Sequence, residues 1–370
     1  MSDRTVSRRQ ALGRVGAMVA GGVAGTTLAS GQPATPPVPP ERAVRLAPRD
    51  ELVNTLELEE EARKKLAPAT LALVAGGDRS LFDRITLRPL MLAPTIDMDL
   101  SQTILGDAHF VPILVGAVAD QKRFYPEGEL ATARGSAAAK AFMIVSARSS
   151  VPVGEIAAQN KSFWYQVFAS DAAAKAQVAD GVRAGARAVV VTVGVNPGTA
   201  AAKPAAAAIN WSSFDSVKQG VTVPVLVKGV TTVAEATAAL ARGAQGLIVS
   251  NYGGLLTSKD ALILELPKIV DAVAGRVPVL IDGSFRRGTD VIKALAFGAQ
   301  GVIVARPVMW GLAAYGADGV QTVVELLQTE LARYMGMCGK SALKMLDRTL
   351  LKVHGPLPAG MRTTPATTNG

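Results

Sequence analysis

One cysteine, Cys338, and two histidines, His109 and His354, occur in 370 residues. A single thiol excludes an intrachain disulfide and a Cys-ligated metal cluster. His109 precedes the first apolar run and His354 lies near the C-terminus, so a multi-His metal site at the strand ends described below is not expected, and no metal is. Cys338 falls beyond the last strand run and reads as a buried or helix-packed thiol, which argues against a catalytic cysteine. Aromatic residues make up 5% of the chain, and the net charge of +9 comes without a long Lys/Arg run or basic residues interleaved with aromatics. Nucleic acid is therefore not an expected partner, although a basic pocket for a phosphate remains compatible. Strongly apolar runs are short, so the 49% of hydrophobic residues is spread over many small packed elements rather than membrane spans.

Part of the positive charge is local, because Arg4, Arg8, Arg9 and Arg14 stand against Asp3 in the first 31 residues. Ser7, Arg8 and Arg9 with Leu12, an apolar Gly/Ala-rich stretch from about Val15 to Leu28, and small residues at Ala29 and Ser30 resemble a twin-arginine export signal over 1–30. A Sec-type signal or a weakly hydrophobic anchor is the alternative. Residues 31–50, GQPATPPVPPERAVRLAPRD, read as a Pro-rich extended linker. The expected package is a protein folded around a nucleotide cofactor and carried by the twin-arginine machinery to the periplasm or beyond. The folded body is expected over 51–355 and a flexible tail over 356–370.

After a charged helical segment, ELEEEARKKLAPATLALV, eight β-branched runs follow one another: Val111 to Ala117, Phe142 to Ala147, Tyr165 to Phe168, Ala188 to Val193, Val223 to Gly229, Gly246 to Asn251, Val277 to Gly283 and Gly301 to Pro307. Most lack alternation, as strands buried on both faces of a parallel sheet do. Ala-rich, helix-length segments separate most of them, and three end in a Gly-Ala that suits a glycine stop. This rhythm predicts an α/β fold, a (β/α)8 TIM barrel with an N-terminal helical segment. A doubly wound open sheet is the runner-up, without a G-x-G-x-x-G to support it.

Chemistry in such a barrel gathers at the C-terminal strand ends. The first run offers only small residues around Gly116 and Ala117. The others offer Ser146, Gln166, Thr192, Lys228, Ser250 with Asn251, Asp282 and Arg306, a ring of hydrogen-bonding groups suited to a planar polar ligand. Singly, each of these more often satisfies local backbone or water; their recurrence at one level of the barrel is the signal. The last two loops add Arg286 and Arg287 beside Gly283 and Gly288, and glycine-rich turns with guanidinium forks are what a phosphate requires.

These residues carry a resemblance. VPVLVKGVTT, GLIVSNYGG, PEGELATARGSAAA and above all DGSFRRGTDVIKALAFGA are similar to the FMN-dependent α-hydroxy acid oxidases and dehydrogenases, the glycolate oxidase and flavocytochrome-type lactate dehydrogenase group, from about Leu52 to the helix around Leu346. The resemblance implies FMN as cofactor, with Lys228 near the N1 and O2 edge of the flavin and Ser146, Gln166, Thr192 and Ser250 along the isoalloxazine and ribityl chain. It further implies that Asp282, Gly283, Ser284, Arg286, Ala305 and Arg306 hold the ribityl chain and phosphate, Ser284 and Ala305 replacing family glycines. Family members are often tetramers, which makes a homo-tetramer the expected assembly.

The substrate side departs from that family. Where it reads S-N-H-G-G-R or close to it, with a His as base and an Arg on the substrate carboxylate, this chain has Tyr252 and Leu255. A family tyrosine pair falls on Leu73 and Val74, a tyrosine on Phe168, and the aspartate after the fourth strand on Gly194; the loop from Val195 to Gly220 lacks a second carboxylate-binding arginine. Together these replacements remove every charged contact expected for a 2-hydroxy acid. The expected function is FMN-dependent oxidation of the CH–OH group of a small, less polar substrate lined by Leu73, Phe168, Tyr252 and Leu255. Tyr252 would be proton donor or acceptor, its phenol depressed by Lys228 if it is a base, and the electron acceptor is not specified by the residues. The alternatives are a catalytically inactive FMN-binding protein of the same fold and a non-flavin barrel holding a sugar phosphate.

Overall fold

Uninterrupted runs of Val, Ile and Leu need an apolar layer on both faces. In the computed structural model, which describes residues 45–90, 97–198, 204–256 and 262–355, eight such runs are parallel strands. They are β1 (Ile113–Val115), β2 (Met143–Ser146), β3 (Phe163–Phe168), β4 (Val189–Thr192), β5 (Val225–Val230), β6 (Gly246–Val249), β7 (Val279–Asp282) and β8 (Gly301–Val304). Each pairs with its neighbours in chain order, and Val302 opposite Ile113 closes β8 on β1 into a barrel. The third strand begins at Phe163, ahead of the expected Tyr165. The described residues belong to one compact unit, Val44–Gly370. The expected signal over 1–30, the linker as far as residue 44 and the tail over 356–370 lie outside the described residues.

The two-residue period of a strand sorts the side chains. Leu114, Ile144, Trp164, Val190, Leu226, Ile248, Leu280 and Ile303 fill one buried cluster inside the barrel, while their sequence neighbours pack outward in the larger cluster shared with the helices. Two residues further on, the inward parity reaches Gly116, Ser146, Gln166, Thr192, Lys228, Ser250, Asp282 and Ala305. The apolar filling thus ends in a polar layer at the C-terminal mouth.

Helices α1 (Thr55–Lys65), α2 (Glu129–Ala138), α3 (Val153–Gln159), α4 (Ala174–Arg183), α5 (Trp211–Lys218), α6 (Val233–Ala241), α7 (Leu266–Val273), α8 (Gly288–Ala296) and α9 (Arg306–Met337) supply the outer layer. The expected Gly-Ala stops are present after α4, α6 and α8: Gly185, Gly243 and Gly298 have φ of 97°, 75° and 103°. The next amide in each case reaches back to the last turn, as Ala186 N–H does to Gly181 O at 3.0 Å. Cys338 is buried at the end of α9 and burial pushes its thiol up.

The barrel floor is closed by an antiparallel hairpin of Gln102–Ile104 and Asp107–His109. Ile104 enters the interior cluster, and the Asp107 carboxylate at the foot of the hairpin pairs with Arg187. His109 is 2% exposed, stacks on Phe142 at 4.0 Å and meets Trp164 edge-on at 5.9 Å. Neither ring nitrogen has a protein partner, and burial lowers its pKa from 6.5 to about 4, against the opposing charge of Asp107. A depressed folded value means that the unfolded chain binds the proton first, so stability present above pH 6.5 is lost as pH falls toward 4. His109→Phe is expected to flatten the loss across that window, by roughly 2 kcal/mol in denaturant unfolding. A slope unchanged in the variant would refute the assignment.

Candidate active site

The polar layer at the mouth is a connected chain on its first side. Ser146 Oγ donates to Gln166 Oε1 at 3.0 Å, and Gln166 Nε2 donates to Thr192 Oγ1 at 2.8 Å. All three side chains are buried, so each bond is made in a low-dielectric setting that fixes the Gln166 amide. These residues end β2, β3 and β4, adjacent strands of the barrel, and the structure brings them together as the sequence predicts.

Lys228 occupies the centre of the second side. Its Nζ donates to Ser250 Oγ at 2.5 Å and pairs with the Asp282 carboxylate, linking β5, β6 and β7. The ladder between β5 and β6 slips between Lys228 and Val230. Gly229 makes that bulge feasible: it has φ of 108°, and a methyl there would lie 2.6 Å from Val193 O. The second Asp282 oxygen, Oδ1, is buried without a partner.

The turn after β6 holds Tyr252 in the left-handed region, φ 51°, a conformation that costs of order 1 kcal/mol for a residue with a Cβ. Two side chains impose it: Ser250 Oγ accepts the Tyr252 amide at 3.2 Å, and Asn251 Oδ1 accepts Gly254 N–H at 3.1 Å. The Tyr252 ring meets Phe168 edge-on at 6.0 Å and lies 5.9 Å from Lys228 Nζ. Burial raises the phenol pKa above its usual value; Arg148 pulls it down and Asp282 pushes it up. The expectation of a phenol depressed by Lys228 is therefore corrected: Tyr252 stays protonated at neutral pH, because desolvation dominates and the Lys228 cation is already paired with Asp282.

Leu255 is half-buried, and its neighbour Leu256 is the side chain that lies over Gly194 and Gly229. Leu73 is 50% exposed on the segment leading to Gly76, and Phe168 is buried. Phe168 and Tyr252 are thus the two expected lining residues whose contact is direct.

At the ends of β7 and β8 the structure gathers the expected arginines. Gly283 and Ser284 turn with φ of 109° and 58°, and a cavity of about 90 Å³ is lined by Asp282, Gly283, Ser284, Arg286, Ala305 and Arg306. Arg286 is 3% exposed, stacks over Trp310 at 4.7 Å and shares the Gly76 carbonyl with Arg306, at 2.7 and 3.2 Å. Burial and the charges of Arg306 and Arg79 lower Arg286 to about 9, and burial also lowers Arg306. A buried and a half-buried guanidinium around one carbonyl call for an anion.

Sequence reasoning missed two contributors, Arg79 and Arg148, and misassigned a third, Arg287. Arg79 binds Asp290 through two bonds of 2.6 and 3.1 Å and so anchors the Gly76 segment against α8. Arg287, expected near the phosphate, instead bonds Glu330 at 2.7 Å and ties α8 to α9. Arg148, two residues past Ser146, holds its guanidinium over Phe168 at 5.9 Å and bonds Asp171 at 3.1 Å. The Gly76-Gly77 pair was a readable turn signal; nothing local marked Arg148.

Comparison with known proteins agrees with this geometry. The FMN-dependent dehydrogenase family matches residues 72–200 and 196–353. A peroxisomal (S)-2-hydroxyacid oxidase of Arabidopsis thaliana is 34% identical over 82% of this chain and 98% of its own length, and an L-lactate oxidase of Roseobacter sp. (strain GAI101) is 35% identical over 81% and 94%. A crystal structure of mandelate oxidase with (S)-2-phenylpropionate superposes with a TM-score of 0.75 at 33% identity, covering 82% of this chain and 100% of that one. With the closed barrel, its polar mouth and the paired arginines in place, the chain belongs to the FMN-dependent dehydrogenase family.

Proposed function

We propose that this protein oxidises the CH–OH group of a small hydroxy acid, using FMN held at the C-terminal mouth of the barrel. The observation that carries the proposal is the joint presence, at one level, of the Ser146–Gln166–Thr192 chain, the Lys228 cation and the arginine-lined cavity. The residues fit the cofactor: Arg286, buried, and Arg306, half-buried, are like charges that an FMN phosphate would compensate, and the orphaned Asp282 Oδ1 is an acceptor for a ribityl hydroxyl. Gly283, Ser284 and Ala305 leave room beside them, Ser284 through its left-handed backbone.

When bound, FMN supplies a two-electron acceptor that takes a hydride from the alcohol carbon. The chain's own residues supply the rest. Gln166, locked by Ser146 and Thr192, presents a fixed amide to a planar ligand. Lys228, held by Ser250, places positive charge where negative charge would accumulate during reduction, and needs no reorganisation to do so. Tyr252 is a neutral hydrogen-bond donor beside Phe168, so the hydroxyl proton released along with the hydride passes to water at the mouth rather than to the phenol. Leu256 covers Gly194 and Gly229 and keeps water from that side of the mouth.

The Arg8-Arg9 pattern supports export of the loaded, folded protein by the twin-arginine route. A small-molecule hydroxy acid and a separate electron acceptor are the partners this reading requires, and a homo-tetramer is its assembly.

Two measurements test it. The purified protein is expected to be yellow, and Arg306→Leu to weaken FMN binding about 10- to 100-fold, the loss of a charge-assisted bond of roughly 1.5 to 3 kcal/mol. A colourless preparation that takes up no added FMN would leave a non-flavin barrel as the answer.

Anaerobic mixing with a hydroxy-acid panel is expected to bleach the flavin, at a rate without a Tyr252 ionisation between pH 6 and 9. Tyr252→His is expected to accelerate bleaching by about 10²- to 10⁴-fold and to add an inflection at a histidine pKa. Wild-type protein that holds FMN and is bleached by none of the panel would favour the catalytically inactive reading.

A further inference from the structure

Among the described residues, Arg148 is the one guanidinium near the Phe168–Tyr252 pair that neither the cofactor cavity nor the packing of the helices uses. Its position follows from the fold, since Ser146 ends β2 with inward parity and Arg148 begins the loop above it. The Arg148 amide donates back to Ser146 Oγ at 3.2 Å, which holds the loop over the mouth. Its side chain is 31% exposed, so it is reachable by a ligand, and its guanidinium carbon lies 5.9 Å from the Phe168 ring centroid. Its charge acts on the Tyr252 phenol, which places it at the same part of the mouth.

Asp171 occupies only part of the fork. Nη2 donates to Asp171 Oδ2 at 3.1 Å, whereas Nε is buried with no partner. Nε is out of reach of solvent, so a ligand carboxylate would bond the exposed part of the guanidinium that Asp171 leaves open, a charge-assisted bond. Phe168 and Tyr252 flank the position with aromatic surface, which limits water and strengthens such a bond. We infer that Arg148 recognises the carboxylate of the substrate, from a strand end other than the one where the family's arginine is replaced by Leu255. The inference rests on the hydroxy-acid reading above and identifies the charged contact which that reading requires.

Calorimetric titration of the purified protein with (S)-2-phenylpropionate and propionate, neither of which carries an oxidisable hydroxyl, each against its amide, tests this without turnover. The wild type is expected to bind at least one acid tenfold or more tightly than its amide, and Arg148→Met to bring that ratio close to one. A wild-type ratio near one, or a ratio that Arg148→Met leaves unchanged, would overturn the inference and leave Arg148 as an Asp171-paired loop anchor. Should Arg148→Met fold poorly, Arg148→Lys keeps the charge without the fork and is expected to lose at least threefold of the ratio; no loss overturns it equally. FMN content is read separately by absorbance. A colourless protein counts against the flavin function, while the acid-to-amide ratio still reports on Arg148.

Discussion

Closure of the eight-stranded parallel sheet is the constraint from which the rest follows. Once β8 pairs with β1, every strand has one face inside and one face under helices, and the two-residue period fixes which residue goes where. A one-residue slip in any strand would move its inward apolar side chain to the helix layer and its mouth residue to the wrong side. The apolar filling from Leu114 to Ile303 therefore also positions Ser146, Gln166, Thr192, Lys228, Ser250 and Asp282. Stability and site geometry are set by the same register.

Charge at the mouth is arranged asymmetrically. Lys228 has Asp282 as its direct counter-ion, whereas Arg286 and Arg306 share a carbonyl; burial lowers both pKa values, the charges of Arg306 and Arg79 lower Arg286 further, and Asp282 and Glu59 oppose the fall at Arg306. Neighbouring arginines are neutralised differently: Arg79 by Asp290 and Arg287 by Glu330. The contrast separates two jobs within one loop cluster. Paired arginines hold the loops to α8 and α9; unpaired ones are left for a ligand's negative charge.

The sequence displayed the barrel and most of the cofactor side because both depend on short-range patterns. Eight apolar runs, Gly-Ala helix stops and one polar residue at each strand end can be read along the chain. Arg287 could not be separated from Arg286 in that way, since Glu330, the partner that claims it, lies on α9 far along the chain. Tyr252 was legible as a departure and as a proton donor or acceptor, but the choice between the two depends on burial that only the fold creates. Arg148 was invisible for the same reason: after Ser146 it reads as one more solvated loop residue, and only packing brings Phe168 and Tyr252 to it. Leu256, rather than Leu255, is the side chain against Gly194 and Gly229, a detail set by the turn geometry rather than by residue type.

The turn at Tyr252 bears on whether the substrate side has decayed or been rebuilt. A tyrosine at φ 51° is strained, and relaxing it would require only the loss of local support. Support is instead supplied twice, by Ser250 Oγ on its amide and by Asn251 on Gly254, while Ser250 also holds Lys228. The same hydroxyl thus couples the strained turn to the cation at the centre of the mouth. With Phe168 against its ring and the charge of Arg148 acting on its phenol, Tyr252 sits in an environment specified from three strands. The contacts that converge on Tyr252 therefore hold its strained turn, its ring and its phenol together, from the ends of β2, β3 and β6.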